Sequence, residues 1–201
     1  MPGVGSGRCK LLLSAAAGLL FLAGCGPKSG IFDGGALSAA KRVAVMPAAG
    51  APGADGVDAG RMEAGLLLTS LANLNRFQVE GPGRLRKAAT SQPGQKLPWS
   101  AALQADLARE LGIDLLVVAE VTDYRFTKEW KSASWYFGSS TWTETTYWVA
   151  LNVRFVKPDD GKLVYCGSGA GSSKEGYGPA TAVATEAAME ELREFLARQK
   201  R

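Results

Sequence analysis

The chain has 201 residues, 46% of them apolar, which is enough for one globular domain with its own core. It contains no histidine, which removes the commonest general base, the Ser-His and Cys-His nucleophile pairs and most zinc and iron sites. The formal net charge is +4, and without Arg8 and Lys10 the remaining 21 basic and 19 acidic side chains give a net of +2. We therefore expect no enzyme activity, no metal or cofactor, and no nucleic-acid partner.

The N-terminal segment has the pattern of an export signal. Residues 1–10 are short and basic, and residues 11–23 form an uncharged apolar run. This run is shorter than the roughly 20 residues of a membrane-spanning helix and has the length of a signal-peptide apolar region. Four residues close it: Leu22, Ala23, Gly24 and Cys25. They resemble the lipobox of bacterial lipoproteins.

The lipobox resemblance implies cleavage before Cys25, which makes residues 1–24 a signal peptide. It also implies a diacylglycerol on the Cys25 thiol and an acylated amine, and several acyl chains anchor far more firmly than one. Among such lipoproteins an Asp after the cysteine holds the protein at the inner membrane, so Gly26 implies the outer membrane with the domain facing the periplasm. An ordinary secretory signal or a signal anchor ending in Cys is the alternative.

Residues 25–40 are rich in Gly, Ala and Ser, and we expect a flexible tether with a reach of about 20 Å before a domain at residues 41–201. Apolar periodicity and turn signals predict the elements of that domain. They are, in chain order, a strand at 42–46, a helix at 58–73, a strand at 76–80, helices at 84–89 and 100–111, strands at 114–126, 143–156 and 162–171, and a helix at 179–199. This order predicts one α/β sandwich with a mixed, partly antiparallel sheet and helices mainly on one face.

Residues 126–146 are predicted to form an aromatic hairpin with its tip at residues 138–140. Five aromatic side chains are its candidate partner-binding residues: Trp130, Trp135, Tyr136, Phe137 and Trp142. Aromatic rings supply large contact areas and are enriched at interfaces. The partner is a protein, another copy of the chain or the bilayer surface. The alternative is a hairpin whose rings fold back over the sheet.

Three further features have structural interpretations. The glycine-rich stretch at residues 167–174 matches neither phosphate-binding pattern and is typical of the end of an edge strand. Glu120 and Arg154 are expected to form a structural ion pair, and Cys166 to be a small buried apolar residue.

Five segments stand in a familiar order: residues 43–46, 76–85, 111–121, 149–156 and 160–164. They resemble the periplasmic domain of the CsgG-type curli-secretion lipoproteins and of the smaller outer-membrane lipoproteins that activate penicillin-binding proteins. The resemblance covers roughly residues 41–198. Its motifs concern the fold and carry no catalytic residue.

The chain also departs from the CsgG type, whose subunits each insert two β-hairpins into the outer membrane with about 9–11 residues per strand. Only residues 126–146 are long enough for one hairpin, because residues 172–178 are too short for a second. Charges also interrupt the alternation, at Lys128, Glu129, Lys131 and Glu144.

The function that we predict is therefore that of a non-enzymatic, membrane-anchored lipoprotein that mediates protein-protein contacts in cell-envelope assembly or secretion. The alternative is a ring-forming subunit of a CsgG-like outer-membrane export complex. The expected partners are the membrane, through the lipid on Cys25, and an envelope protein, and a homo-oligomer is compatible with both functions.

Overall fold

A computed structural model describes residues 29–48, 56–89 and 100–199. The predicted signal peptide, lipobox and lipidation site at Cys25 lie outside these residues. The described elements are β1 (Gly30–Ile31), α1 (Gly34–Ala39), β2 (Arg42–Val45), α2 (Gly56–Asn73), β3 (Gln78–Glu80), α3 (Pro82–Ala89), α4 (Ala101–Leu111), β4 (Leu115–Trp135), β5 (Gly138–Val156), β6 (Leu163–Ser173) and α5 (Tyr177–Arg198).

The strands form one mixed sheet in the order β1-β6-β5-β4-β2-β3. β2 runs parallel to both of its neighbours, β3 and β4, whereas β4, β5 and β6 form an antiparallel meander that β1 extends. The larger core lies between the sheet and helices α1, α2 and α5. A smaller core packs α3 and α4 on the other face of β2 and β4. The predicted α/β sandwich with a mixed sheet is confirmed.

Local chemistry explains why α4 has the predicted bounds. The Ser100 side chain accepts a hydrogen bond from the Leu103 amide at 3.3 Å, which caps the first turn. Gly112 ends the helix with a φ of +62°, a conformation that glycine adopts without a steric penalty. Two further expectations are confirmed: Arg154 Nη2 lies 2.9 Å from Glu120 Oε2, and Cys166 is buried.

The segment before residue 41 departs from the prediction. From Gly30 onward it is part of the fold, because β1 pairs with β6 and Asp33 caps α1 by accepting a hydrogen bond from the Ala36 amide at 2.8 Å. Leu37 is fully buried against the larger core. The prediction of a tether over residues 25–40 is therefore wrong from Gly30 onward. In this Gly-rich segment the helix signals were only a capping Asp33 and one buried apolar residue, Leu37.

The glycines of β6 allow α5 to pack directly on the sheet. A Cβ atom at Gly169 would lie 1.9 Å from the carbonyl oxygen of Ala184, and the corresponding distances to backbone oxygens of α5 are 1.9 Å at Gly167 and 2.2 Å at Gly171. Alternate positions on a strand share one face, so these glycines line the face that α5 covers. They serve helix packing, and they do not simply mark the end of an edge strand as predicted.

Candidate interaction hairpin

β4 and β5 continue far beyond the rest of the sheet. β2 pairs with β4 only as far as Val117, and β6 ends at Ser173 opposite Tyr147. Beyond this point, nine cross-strand pairs from Thr127↔Thr146 to Trp135↔Gly138 form a two-stranded ribbon. At about 3.3 Å per residue the ribbon projects roughly 30 Å from the domain. The aromatic hairpin of residues 126–146 is thus a protruding element.

The tip of the hairpin differs from the prediction. Trp135↔Gly138 is the last cross-strand pair, so the turn residues are Tyr136 and Phe137. The predicted tip residues 138–140 belong to β5. Neither turn residue has a positive φ. The turn therefore needs no Gly or Asn at its centre, and the sequence carried no ordinary turn signal for it.

The five predicted contact residues are all solvent-exposed. The exposed fractions are 80% for Trp130, 56% for Trp135, 95% for Tyr136, 90% for Phe137 and 47% for Trp142. Tyr136 and Phe137 touch only edge to face, with ring centroids 5.0 Å apart. Rings folded back over the sheet would be shielded from water, which these rings are not.

The exposed rings occupy both faces of the ribbon. A register shift between Val121 and Asp123 changes which side chains point toward α5. Beyond the shift Tyr124 stacks on Tyr177 of α5, so Trp130, six residues later, lies on the α5 side. Trp142 pairs with Lys131 and therefore lies on the opposite side. The hairpin presents aromatic surface in two directions. Phe126 and Trp148, which are not among the five candidate residues, are also exposed.

The root of the hairpin is fastened to the domain by aromatic packing. Tyr124 stacks on Tyr177 with centroids 3.7 Å apart, and Tyr147 meets Tyr177 edge-on at 4.8 Å. Because Tyr177 is the first residue of α5, these contacts tie both hairpin strands to the start of that helix.

A band of charged side chains lies next to this root, on the side of the hairpin tip. Lys131 Nζ is 2.6 Å from Glu129 Oε2 and 3.8 Å from Glu144 Oε2, and Lys174, just past β6, pairs with Glu144. The hydrogen bond from Lys174 lowers the pKa of Glu144, and the bond to Glu129 raises the pKa of Lys131. The groups are exposed, so each pair contributes little to stability. Together they define a charged band that separates the root from the distal hairpin.

Within residues 29–48, 56–89 and 100–199, no three Cys, Asp or Glu side chains are grouped so that they could hold a metal ion. No helix in the same part of the chain is long and apolar enough to cross a membrane.

No family model matches the sequence, and no curated protein matches it. Solved structures with a similar arrangement include lipoprotein GNA1162 from Neisseria meningitidis, with 16% identity and a TM-score of 0.44 over 66% of this chain and 83% of that chain. A PelC dodecamer from Paraburkholderia phytofirmans has 13% identity and a TM-score of 0.43, over 82% and 93% of the respective chains. The LpoB C-terminal domain from Escherichia coli has 14% identity and a TM-score of 0.39, over 65% and 82%. At these values the similarities assign neither a family nor a function to the chain.

Proposed function

We propose that the protein is a non-enzymatic bacterial lipoprotein that makes protein contacts in cell-envelope assembly or secretion. It is anchored in the outer membrane through acyl chains on Cys25, and its domain faces the periplasm. The observation that carries this proposal is the protruding hairpin with five exposed aromatic residues. Clusters of exposed aromatic rings are typical of interaction sites.

The hairpin contributes no residue to the buried core of the domain. Val121 and Val149 are buried, but none of the residues between them, all of which the structure describes, belongs to the buried core. A two-stranded ribbon of nine pairs is marginal in water when nothing packs on it. A contact function gives a reason for both its length and its aromatic content.

The anchoring rests on the sequence. The lipobox residues Leu22, Ala23 and Gly24 stand directly before Cys25, at the end of an apolar run. Cys25 precedes the first described strand by five residues, so the lipid and the domain are joined by a short connection.

One observation favours the alternative of a ring-forming, CsgG-like export subunit. Within the described chain, no strand pairs with the outer edges of residues 127–135 and 138–146. Unpaired edges give neighbouring copies a place to associate. Light scattering after mild detergent extraction separates the two functions, because a monomer supports the contact protein and a closed ring of several copies supports the export subunit.

Photo-crosslinking in native membranes tests the proposal. A photoreactive residue is placed at position 130 or 142 of the full chain, with a control at Asp159, in the turn at the far end of the sheet. We expect a defined adduct with another envelope protein from the hairpin positions and none from position 159. Adducts only between copies of the chain would favour the ring, and the same adducts from all three positions would contradict a specific contact.

A further inference from the structure

The outer edge of β4 is open along the hairpin. β2 pairs with β4 only as far as Val117, and within the described chain no other strand lies along this edge at residues 123–135. This segment contains no proline, and its pairing with β5 has no register shift after Asp123. Such an edge presents regularly spaced N–H and C=O groups on which another strand can pair.

The side chains along this edge carry charges of both signs. They are Asp123, Arg125, Lys128, Glu129 and Lys131. Edges that are protected against pairing commonly carry lysine, whereas this edge mixes acidic and basic residues. Opposite charges that face each other across two strands favour pairing, and like charges disfavour it. The mixed charges therefore restrict both the partner strand and its register.

The order of these charges makes the edge complementary to a second copy of itself. In a two-fold symmetric antiparallel pair, the residue on the axis lies opposite its own copy, and its neighbours exchange partners. With Trp130 on the axis, Glu129 of each copy lies opposite Lys131 of the other, on one face of the sheet, and the two Trp130 rings meet on the other face. Arg125 lies opposite Trp135, where a guanidinium can approach an aromatic ring. In this register no like charges lie directly opposite each other.

The other registers centred on the charged segment are less favourable. An axis at Lys128, Glu129 or Lys131 places that charge opposite its own copy. Between positions 127 and 131, only Thr127 and Trp130 can lie on the axis without such a conflict.

The space along the edge decides between these two registers. With Thr127 on the axis, the turn of the second copy would be level with Val118, next to Met46, whose amide still bonds to the edge of β4. With Trp130 on the axis, the turn is level with Tyr124, about 20 Å farther from that contact. The register centred on Trp130 therefore fits both the charges and the space.

From these observations we propose that two copies of the chain pair along the outer edges of their β4 strands, antiparallel, with Trp130 on the two-fold axis. The two hairpins then form one four-stranded sheet in the order β5-β4-β4-β5. This interface is additional to the contact with another envelope protein, and it leaves Trp142 on β5 for that partner. It closes after two copies, whereas a ring pairs β4 of one copy with β5 of the next.

The pairing gives the most exposed tryptophan of the hairpin a contact. The ring of Trp130 packs against its own copy, and aromatic pairs of this kind stabilise neighbouring strands. Only residues 125–135 of each copy take part, so the interface is small and the dimer depends on concentration. We expect it to form in the membrane and to dissociate on dilution in detergent.

Oxidative crosslinking of the full chain in native membranes tests the proposal. Trp130→Cys places two thiols opposite each other on strands whose Cα atoms are about 4.5–5.5 Å apart, a separation that a disulfide spans. Trp142→Cys is the matched control, because the two β5 strands of the dimer are three strand spacings apart, about 14 Å. We expect a disulfide-linked dimer from position 130 and none from position 142.

The outcomes distinguish this pairing from the other arrangements. The chain without an introduced cysteine should form no dimer, since Cys166 is buried. In a ring of hairpins that point the same way, neighbouring β4 strands are two spacings apart, about 10 Å, which a disulfide does not span. No dimer from position 130, or equal dimers from positions 130 and 142, would overturn the pairing. An adduct of position 142 with another envelope protein would still support the contact function.

An exchange of charges in the Trp130→Cys chain tests the register. Lys131→Glu places like charges opposite each other at two positions and should reduce the disulfide-linked dimer several-fold. Adding Glu129→Lys restores opposite charges at both positions and should recover the dimer. Lys128→Glu makes the same change of charge opposite Ser132 and should have little effect. Equal losses from Lys131→Glu and Lys128→Glu, or no recovery on exchange, would overturn the register.

Discussion

Glu63 is a fully buried carboxyl group on α2, facing α5. Thr185 Oγ1 lies 3.1 Å from Glu63 Oε2 and 2.8 Å from the carbonyl oxygen of Thr181. A hydroxyl has one proton to donate, and the carbonyl is the nearer acceptor. The Thr185 hydroxyl is thus shared between the Thr181 carbonyl and the Glu63 carboxyl. Burial raises the pKa of Glu63 to about 7, and the hydrogen bond from Thr185 offsets part of this rise.

Because the pKa of Glu63 is raised in the folded protein, we predict that the protein loses stability as the pH rises. The folded protein keeps a proton that the unfolded chain releases near pH 4.5, so the stabilisation is complete below about 4.5 and declines until about 7. The difference between these two pKa values corresponds to about 3 kcal/mol of free energy of unfolding. Urea unfolding at several pH values across this range measures that free energy. Glu63→Gln, which stays neutral, should remove the decline, and an equal decline in both proteins would show that another group is responsible.

Gly169 is a position where one added methyl group would collide with the backbone of α5. An added Cβ would meet the Ala184 carbonyl oxygen at 1.9 Å and the Ala188 amide nitrogen at 2.6 Å, and both are backbone atoms of α5. Gly169→Ala should therefore destabilise the domain by about 3 kcal/mol, the upper end for overpacking. Ser172→Ala, at an exposed position of the same strand, is the control. Equal urea midpoints for the two variants would contradict the packing account.

At the scale of elements, the hairpin should be removable without unfolding the domain. Replacing residues 128–145 by Asn-Gly would join Thr127 to Thr146, which are a native cross-strand pair, through a short turn. No buried core residue is lost. We expect a thermal unfolding midpoint close to that of the full chain, measured by circular dichroism, together with loss of the crosslinks. A collapse of the folded state would mean that the hairpin is structural.

Elements with local signals were predictable from the sequence. α4 has a Ser cap, apolar residues at four-residue spacing and a closing glycine, and its bounds matched to within one residue. β1 and α1 were not predictable, because two paired strand residues and six helical residues gain their stability from contacts with β6 and α5. These contacts join residues that are far apart in the chain, so a short segment of sequence does not reveal them.

The candidate site was predictable as a set of residues but not as an arrangement. Trp130, Trp142 and the tip rings are exposed on one hairpin, as their clustering suggested. Their division between two faces follows from the cross-strand register, in which Trp142 is opposite Lys131, and the register shift after Val121 decides which face lies on the α5 side. No residue pattern in the sequence reveals either. The turn at Tyr136 and Phe137 lacks glycine at its centre, so the prediction placed the tip at the nearest glycine.

At the scale of the whole molecule, the two ends of the sheet have different roles. The turn between β5 and β6 and the start of β2 lie at one end, with Gly30 of β1 only three residues from it at the level of Val118, and the hairpin root lies at the other end. The proposed lipid anchor at Cys25 stands five residues before Gly30 in the sequence. The function proposed for the molecule depends on that anchor.

The mass of the protein extracted from native membranes tests the anchor most directly. We expect a chain that begins at Cys25 and carries a diacylglycerol and an N-acyl group, with residues 1–24 absent. A chain that begins at Met1, or one whose Cys25 thiol is free, would contradict it.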